Sequence, residues 1–469
     1  MDTIIIVQTD DGTALDMRTI NEGVNKVADM AQASIFMVPE RLRKLNETAY
    51  TPRLFSIGPL HSHNDPHLES PEIQNIKLSY LNDLLARVSD DPQDKDRILD
   101  RCLHEMENLK EVAKKSYAVD AEKAKALSKE MLVIDGCFIL EFLYKHYNID
   151  MFKQSRNDPI FGSVVMLNSI QHDLLLLENQ LPFFVLEKLF QLTFNRIQSH
   201  PHSLTEYVHQ FFRKVLSFNA PSPSVEGSVA AATTSGGGDK EKKDQEATML
   251  SVGSYNLHIL HLLYSYYHPP DQLKEMGPMG HAKKSRDSAS ELDFAGVNFM
   301  ANNGDQFKVD FKQGTRITDW LFSSPEFHIP RLAIYDSTEQ ILRNLIAFEQ
   351  CCNGVVCYMT SYAFLMDLLV NTNEDIEVLE NAGVINNYLG ARPEATNLFN
   401  NLCKQVVLEN FDFANTYKNA TDYSRHWWPA IRAYFIRKYL ATPYGFIAFV
   451  AGAIYFVIEV VKFIDNYFV

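Results

Sequence analysis

The stretch Met131–Tyr147, MLVIDGCFILEFLYKHY, decides the fold class. Its middle is apolar on nearly every helical face, so it reads as a helix buried at the centre of a helical body rather than an amphipathic one on its surface. Asn168–Leu192, NSIQHDLLLLENQLPFFVLEKLFQL, is similar, but Pro182 lacks a backbone donor and is expected to bend or break it. Working outward, Glu72–Val88 places Ile73, Ile76, Tyr80, Leu81, Leu84 and Leu85 at mostly three- and four-residue spacing, the period of a helix. Asp96–Lys115 and Ala121–Tyr147 continue that pattern.

Towards the C-terminus the period changes and then returns. Phe294–Phe299, Phe307–Phe311 and His328–Ala333 read as short strands, with Asn302-Asn303-Gly304-Asp305 as a hairpin turn. Ser337-Thr338-Glu339-Gln340 has the capping-box pattern ahead of ILRNLIAFEQCC. Tyr358–Val370, Asp375–Ala382, Glu394–Val407 and Trp428–Leu440 complete the helical body. The expected fold is mainly α: a large helical domain with a small β-hairpin or meander and a C-terminal transmembrane helix.

That last element is expected over 439–458, YLATPYGFIAFVAGAIYFVI, which carries no formal charge. At about 1.5 Å per residue it would be roughly 30 Å long, the thickness of a bilayer core. Arg432, Arg437 and Lys438 form a basic flank before it, and Glu459, Lys462 and Asp465 follow. The opening MDTIIIVQTDDGTALD has no basic region ahead of its apolar run and does not read as a signal peptide. The expectation is therefore a single-pass, tail-anchored protein in the plasma membrane or an endomembrane, with its body in the cytosol. Ala441, Gly445, Ala448 and Gly452 would put small residues on one face of the span, where helices in membranes associate into homo- or hetero-oligomers.

The chain divides into a polar acidic leader (1–33), a single helical domain (34–438) and the anchor with its short tail (439–469). Within the domain, 219–247, NAPSPSVEGSVAAATTSGGGDKEKKDQEA, reads as a disordered insertion. With 46% hydrophobic residues a large core is available. The net charge of −15, from 59 acidic and 44 basic residues, argues against a nucleic-acid partner, since phosphate affinity comes from clustered Lys and Arg. The six cysteines show no disulfide-framework spacing and read as free thiols.

Few residues invite chemistry. His61, His63, His67 and Asp65 could ligate zinc, but they occupy a polar stretch with Pro66 and read as a solvated loop. Cys351, Cys352 and Cys357 have no second Cys or His pair at zinc-finger spacing and read as buried thiols. Asp135 and Glu178 each interrupt an apolar helix and could form an acid–base pair. The other reading is that they satisfy partners inside the core, because buried polar atoms must be paired. His258 and His261, one turn apart, read as packing residues. No P-loop, G-x-G-x-x-G, G-x-S-x-G or H-E-x-x-H occurs. No catalytic, cofactor-binding or metal site is therefore assigned.

Several motifs in order carry a resemblance. VPERLRKLNETAYTPRLFSIGPLH, MLVIDGCFILEFL, DLLLLENQLPFFVLEKL, SASELDFAGVNF, IPRLAIYDSTEQILRNLIAFEQ and YMTSYAFLMDLLVNTNEDIEVLENAGVI together resemble a large plant family catalogued as Domain of Unknown Function 247, over about residues 34–465. The insertion at 219–247 and the histidine-rich turn after Pro59 depart from the family's pattern. The resemblance implies a plant membrane-associated protein with no established catalytic activity. For a grass subgroup it implies a pollen-side determinant at a self-incompatibility locus. The expectation is a non-enzymatic recognition or signalling protein that presents 61–71, 219–247 and 268–288 to a protein partner. An enzyme with a site near Asp135 and Glu178, and a membrane scaffold with constant partners, are the alternatives.

Overall fold

The computed structural model describes residues 33–61, 68, 70–118, 126–149, 158–197, 202–215, 257–267, 277–278, 287–302, 307–313, 324–426, 431 and 443–468, together with two short strands, Val7–Gln8 and Ala14–Leu15. The leader up to residue 32, apart from those strands, and the insertion at 219–247 lie outside the described residues.

Three helices start the domain: α1 (Pro71–Val88), α2 (Pro92–Lys115) and α3 (Lys129–Tyr147). Proline in the first turn and a side-chain cap fix the start of α1 and α2: Ser70 accepts from Ile73 N and Asp91 from Gln93 N. Ser128 caps α3 by accepting from Met131 N at 3.1 Å. As its apolar faces require, α3 is central. It packs against α1, α2, α5 (Phe183–Thr193) and α6 (Leu204–Val215). Phe138 on α3 sits 5.3 Å from the rings of both Phe55 and Tyr80.

Asn168–Leu192 breaks more widely than one proline dictates. Helix α4 (Val164–Asp173) ends nine residues before Pro182, which is the N-cap residue of α5. The buried turns between them hold Glu178, Asn179 and Gln180. Helix α7 (Ile259–Tyr267) packs on α6 and on α9 (Thr338–Cys351) of the second half. There α9, α10 (Tyr358–Leu369), α11 (Asn373–Asn381) and α12 (Arg392–Leu402) pack in sequence neighbourhoods, and α8 (Ala289–Phe294) rests on α11 and α13 (Ala414–Ser424). One apolar core runs from Ile35 to Tyr423.

The β elements are smaller and paired differently from the expectation. Short strands β1 (Ile35–Phe36) and β2 (Tyr117–Ala118) run parallel. Strand β3 (Asn298–Asn302) lies parallel to β5 (Glu326–Pro330), which also pairs antiparallel with β4 (Asp310–Lys312). The last of the three strands is thus in the middle, so β3 and β4 do not pair with each other as a hairpin; Asn303-Gly304-Asp305 lie outside the described residues. Phe327 at the centre packs against both Phe299 and Phe311, which gives the middle place its reason. A parallel pair, β6 (Leu332–Ile334) with β7 (Ile385–Asn387), joins the ends of α9 and α12. Phe294 ends a helix instead of starting a strand. The capping box at Ser337 does not form. Ser337 is helical in conformation, and Thr338 Oγ1 instead accepts from Tyr335 N at 2.9 Å.

The expected membrane span is corrected too. Among the described residues, no helix is long and apolar enough to cross a membrane. The C-terminal helix α14 (Pro443–Phe468) runs through Glu459, Lys462 and Asp465, and residues 439–442 of the expected span lie outside the described residues. The uncharged part of its described length, Pro443–Ile458, is about 24 Å long at ~1.5 Å per residue, short of the ~30 Å a bilayer core needs. Glu459 and Lys462, paired at 3.0 Å, belong to the helix body and do not flank an anchor. The single-pass placement over 439–458, the tail-anchored topology and the cytosolic body deduced from it fall with the span, as does pairing of small residues inside a bilayer.

Candidate functional site

The segment 34–61 has little regular structure: β1, one helical turn at Glu40–Arg43 and a 3-10 turn at Glu47–Ala49. Yet Phe55, Ile57 and Leu60 are fully buried. Irregular backbone inside a core leaves N–H groups that need acceptors. Side chains supply them. Asp173 accepts from the N–H groups of Arg53, Leu54 and Phe55 at 2.7, 3.0 and 2.8 Å. Asn179 Oδ1 accepts from Ile57 N at 2.7 Å, and its Nδ2 donates to Phe55 O at 2.8 Å. Asn344 on α9 donates to Ala49 O at 2.7 Å and accepts from Leu177 N at 2.9 Å. The segment is thereby fastened to both halves of the protein.

Asp135 and Glu178 belong to this arrangement. Asp135 Oδ2 accepts from Gly58 N at 2.9 Å, and its Oδ1 lies 2.6 Å from Lys77 Nζ. Lys77 also donates to the Ser56 carbonyl. Gly58 has φ +70°, and a Cβ there would come 2.9 Å from the Tyr117 hydroxyl and 3.0 Å from Gln180 O, so the turn requires glycine. Glu178 Oε1 accepts from Val38 N at 2.6 Å and from Arg43. Its Oε2 faces His61 Nε2 at 2.9 Å, and neither of those atoms has another hydrogen-bond partner among the described residues. Burial acts to raise the Glu178 pKa. The hydrogen bond to His61, the charge of Arg43 and the Val38 N–H outweigh it and hold the carboxyl below the usual range. Among the described residues the two carboxylates share no partner.

The same device recurs where sequence reasoning saw nothing. Asp375 accepts from Ser290 N, Asn371 N and Thr372 N, tying α8 to the start of α11. Glu349 accepts from Met359 N and Thr360 N, both at 2.7 Å, at the start of α10. Asp158 accepts from Ile160 N and Phe161 N while Lys145 and Tyr80 bond its other faces. A polar residue within an apolar run was the one available signal. It marked Asp135 and Glu178, but not Asp173, Glu349 or Asp375, which sit in ordinary polar contexts.

A cleft of about 200 Å³ opens beside Asp135, lined by Ser56, Lys77, Gln74, Ile134 and their neighbours. Lys77 donates to the Ser56 carbonyl, not to its hydroxyl, so the pair lacks the base-to-nucleophile hydrogen bond of a serine–lysine hydrolase. The remaining sequence candidates are dispersed. His63, Asp65 and His67 lie outside the described residues. No group of three metal-ligating side chains gathers among the described residues. Burial pushes the thiols of Cys351 and Cys352 up to about 11 and that of Cys357 up to about 12, away from reactivity. His258 and His261 are core residues at the start of α7.

A model of a plant protein family of unknown function, DUF247, matches residues 35–458, and so covers every residue of this arrangement. The chain belongs to this family. Family relatives in Arabidopsis thaliana include UPF0481 protein At3g47200, 28% identical over 439 residues, which span 90% of this chain and 83% of the relative. A second UPF0481 protein, At3g02645, is 26% identical over 171 residues, 36% of this chain and 30% of that protein. No solved structure matches the chain. The family motifs VPERLRKLNETAYTPRLFSIGPLH and DLLLLENQLP are the two sides of the hydrogen-bonded arrangement described above.

Proposed function

We propose that this protein is a non-enzymatic recognition protein that acts by binding a protein partner. A pollen-side role in self-recognition is the particular form of that proposal which the family resemblance suggests. One observation carries the reading. Asp135 and Glu178, the residues best suited by sequence to acid–base chemistry, are bonded to backbone N–H groups and to cations of the scaffold, buried Lys77 and part-buried Arg43. Groups used in this way hold a body rigid, and rigid bodies display connecting segments that can vary without disturbing the core. The segments 61–71, 219–247 and 268–288, which lie largely outside the described residues, are assigned that display.

The test exchanges those three segments between two family members that bind different partners, and reads partner choice by co-purification. Partner choice should follow the segments. Partners that stay with the body would sink the reading and favour a scaffold with constant partners. Asp135→Asn and Glu178→Gln address the enzyme alternative: loss of biological activity in a variant that melts like the parent would favour chemistry.

A further inference from the structure

The rings of Tyr335 and Tyr388 stack in the open. Their centroids are 4.6 Å apart and their planes 1° from parallel, yet 44% and 60% of the two residues is exposed. Strand register places them there. β6 and β7 run parallel with Ile334 beside Asn387, so the next residue of each stands side by side at the ~4.8 Å spacing of neighbouring strands. Their backbones are fixed: Tyr388 N donates to Ile334 O at 2.9 Å, and Tyr335 N to Thr338 Oγ1 at 2.9 Å. Each ring gives one face to the other, so an exposure of 60% leaves the outer face of Tyr388 to solvent. Aromatic rings stabilise a fold mainly by being buried. Two of them held rigidly together in water differ from the apolar residues scattered singly over any surface, and offer a face for docking.

Charge decides what docks. Asp336 follows Tyr335 in the turn between β6 and α9; it is exposed, and among the described residues it makes no hydrogen bond or ion pair. The cations nearest along the chain are engaged: Arg331 with Gly383 O, Arg343 with Glu339, and Arg392 with Glu377 and Glu380. The stack thus has an unused carboxylate beside it, on a chain of net charge −15, and disfavours an anion. A guanidinium meets both features, because it stacks on an aromatic face and makes two parallel hydrogen bonds to a carboxylate. An ammonium is more strongly hydrated and has no plane to stack. A proline or sugar ring would use the aromatic face and leave the carboxylate idle. We infer that Tyr388, Tyr335 and Asp336 form a docking site for an arginine on a basic segment of a protein partner. This names a partner chemistry for the protein-binding reading above and rests on it, but the site belongs to the body and not to the three displayed segments.

Fluorescence anisotropy on the full chain tests it at physiological ionic strength, where diffuse attraction between surface charges is screened. The probes are a labelled peptide of alternating arginine and glycine, its lysine counterpart and an uncharged proline-rich peptide. Tyr388→Ala opens the stack and Tyr388→Phe keeps it. Asp336→Asn removes the unused carboxylate, and Asp100→Asn removes an exposed one on α2 as the control for net charge. All these side chains lie at the surface, so the variants should melt close to the parent. Expected is binding of the arginine peptide at least about threefold tighter than that of the lysine peptide. Tyr388→Ala and Asp336→Asn should each weaken it at least about threefold, whereas Tyr388→Phe and Asp100→Asn should not. The inference is overturned by no binding of the arginine peptide, by equal binding of the two basic peptides or by tighter binding of the proline-rich one. Parent-like binding by Tyr388→Ala or Asp336→Asn, or an equal loss in Asp100→Asn, also overturns it. If exchange of the displayed segments still redirects partner choice, such a result removes this site alone and leaves the protein-partner reading standing.

Discussion

The carboxylate of Asp173 accepts the backbone N–H of Phe55 at 2.8 Å, across 118 residues of sequence. The same carboxylate takes the N–H groups of Arg53 and Leu54, and the ring of His172 lies 2.9 Å from it. One buried side chain thus replaces the ladder that a strand would have given residues 53–55. Asp173→Ala should cost about 3–5 kcal/mol, because three donors, that of Phe55 buried and those of Arg53 and Leu54 part-buried, lose their acceptor together. Urea denaturation measures this. A cost under about 1 kcal/mol would mean that water or another group already serves these donors.

Lys77 and Asp135 form a buried pair whose members should be far more sensitive singly than together. Lys77→Met leaves Asp135 buried without its cation and should cost about 3–5 kcal/mol. Adding Asp135→Asn removes the charge but keeps an acceptor for Gly58 N. The double variant should therefore be more stable than Lys77→Met by roughly 1–2 kcal/mol. A double variant weaker than the single one would show that the carboxylate matters for more than its charge.

Two glycines should respond differently to alanine. At Gly58 the strain is in the backbone: φ is +70° and a Cβ would crowd the Tyr117 hydroxyl and Gln180 O. At Gly136, on α3, a Cβ would overlap Leu189 Cδ1 of α5, a side-chain end that can change rotamer. Gly58→Ala should cost about 2 kcal/mol or more with no rescue by core repacking. Gly136→Ala should be rescued in part by Leu189→Ala. Melting temperatures of the three variants check both, and rescue of neither would place the crowding elsewhere.

Acid should destabilise the protein through two core histidines. His258 Nε2–H donates to Ser34 O at 3.0 Å, and its Nδ1 accepts from His261 N at 3.1 Å, so the neutral ring uses both nitrogens. Burial, with the nearby His261, lowers the His258 pKa to about 3, and burial lowers that of His261 to about 4. Both lie below the ordinary value of ~6.5, so the unfolded chain binds protons more readily. Their contribution is present above pH ~6.5 and is lost as pH falls towards 3–4. The melting temperature should fall through that window, and His258→Gln should flatten the fall. An unchanged slope in that variant would assign acid sensitivity to other groups.

Glu349 predicts the opposite limb. Burial raises its pKa to about 8 despite hydrogen bonds from Thr360 and Met359. The folded value exceeds the unfolded ~4.3, so the folded chain holds the proton more tightly. Stability should decline as pH rises from ~4.5 through 8, and Glu349→Gln should remove part of that decline. Thermal melts at constant ionic strength compare the two chains.

The sequence by itself determined the helical class and the central place of Met131–Tyr147, whereas the second and third helices start at Pro92 and Lys129, not at Asp96 and Ala121. Apolar periodicity, proline in a first turn and a serine or aspartate cap are local, and local signals survive in sequence. It also determined the family, through motifs whose order is visible without any coordinates. Asp135 and Glu178 were legible as buried polar residues for the same reason, since each interrupts an apolar run. Tertiary structure alone decided what they bond: Gly58 and Val38 lie 77 and 140 residues away. It also decided that β5 enters between β3 and β4, because Phe327 must meet Phe299 and Phe311 at once. The extent of α14 was likewise not local. The uncharged run from Tyr439 measured its composition, whereas the described helix, Pro443–Phe468, continues through the charged Glu459 and Lys462. Periodicity reports which faces of a helix avoid water; the groups that meet those faces are chosen by chain segments far away, and by geometry that no short window contains.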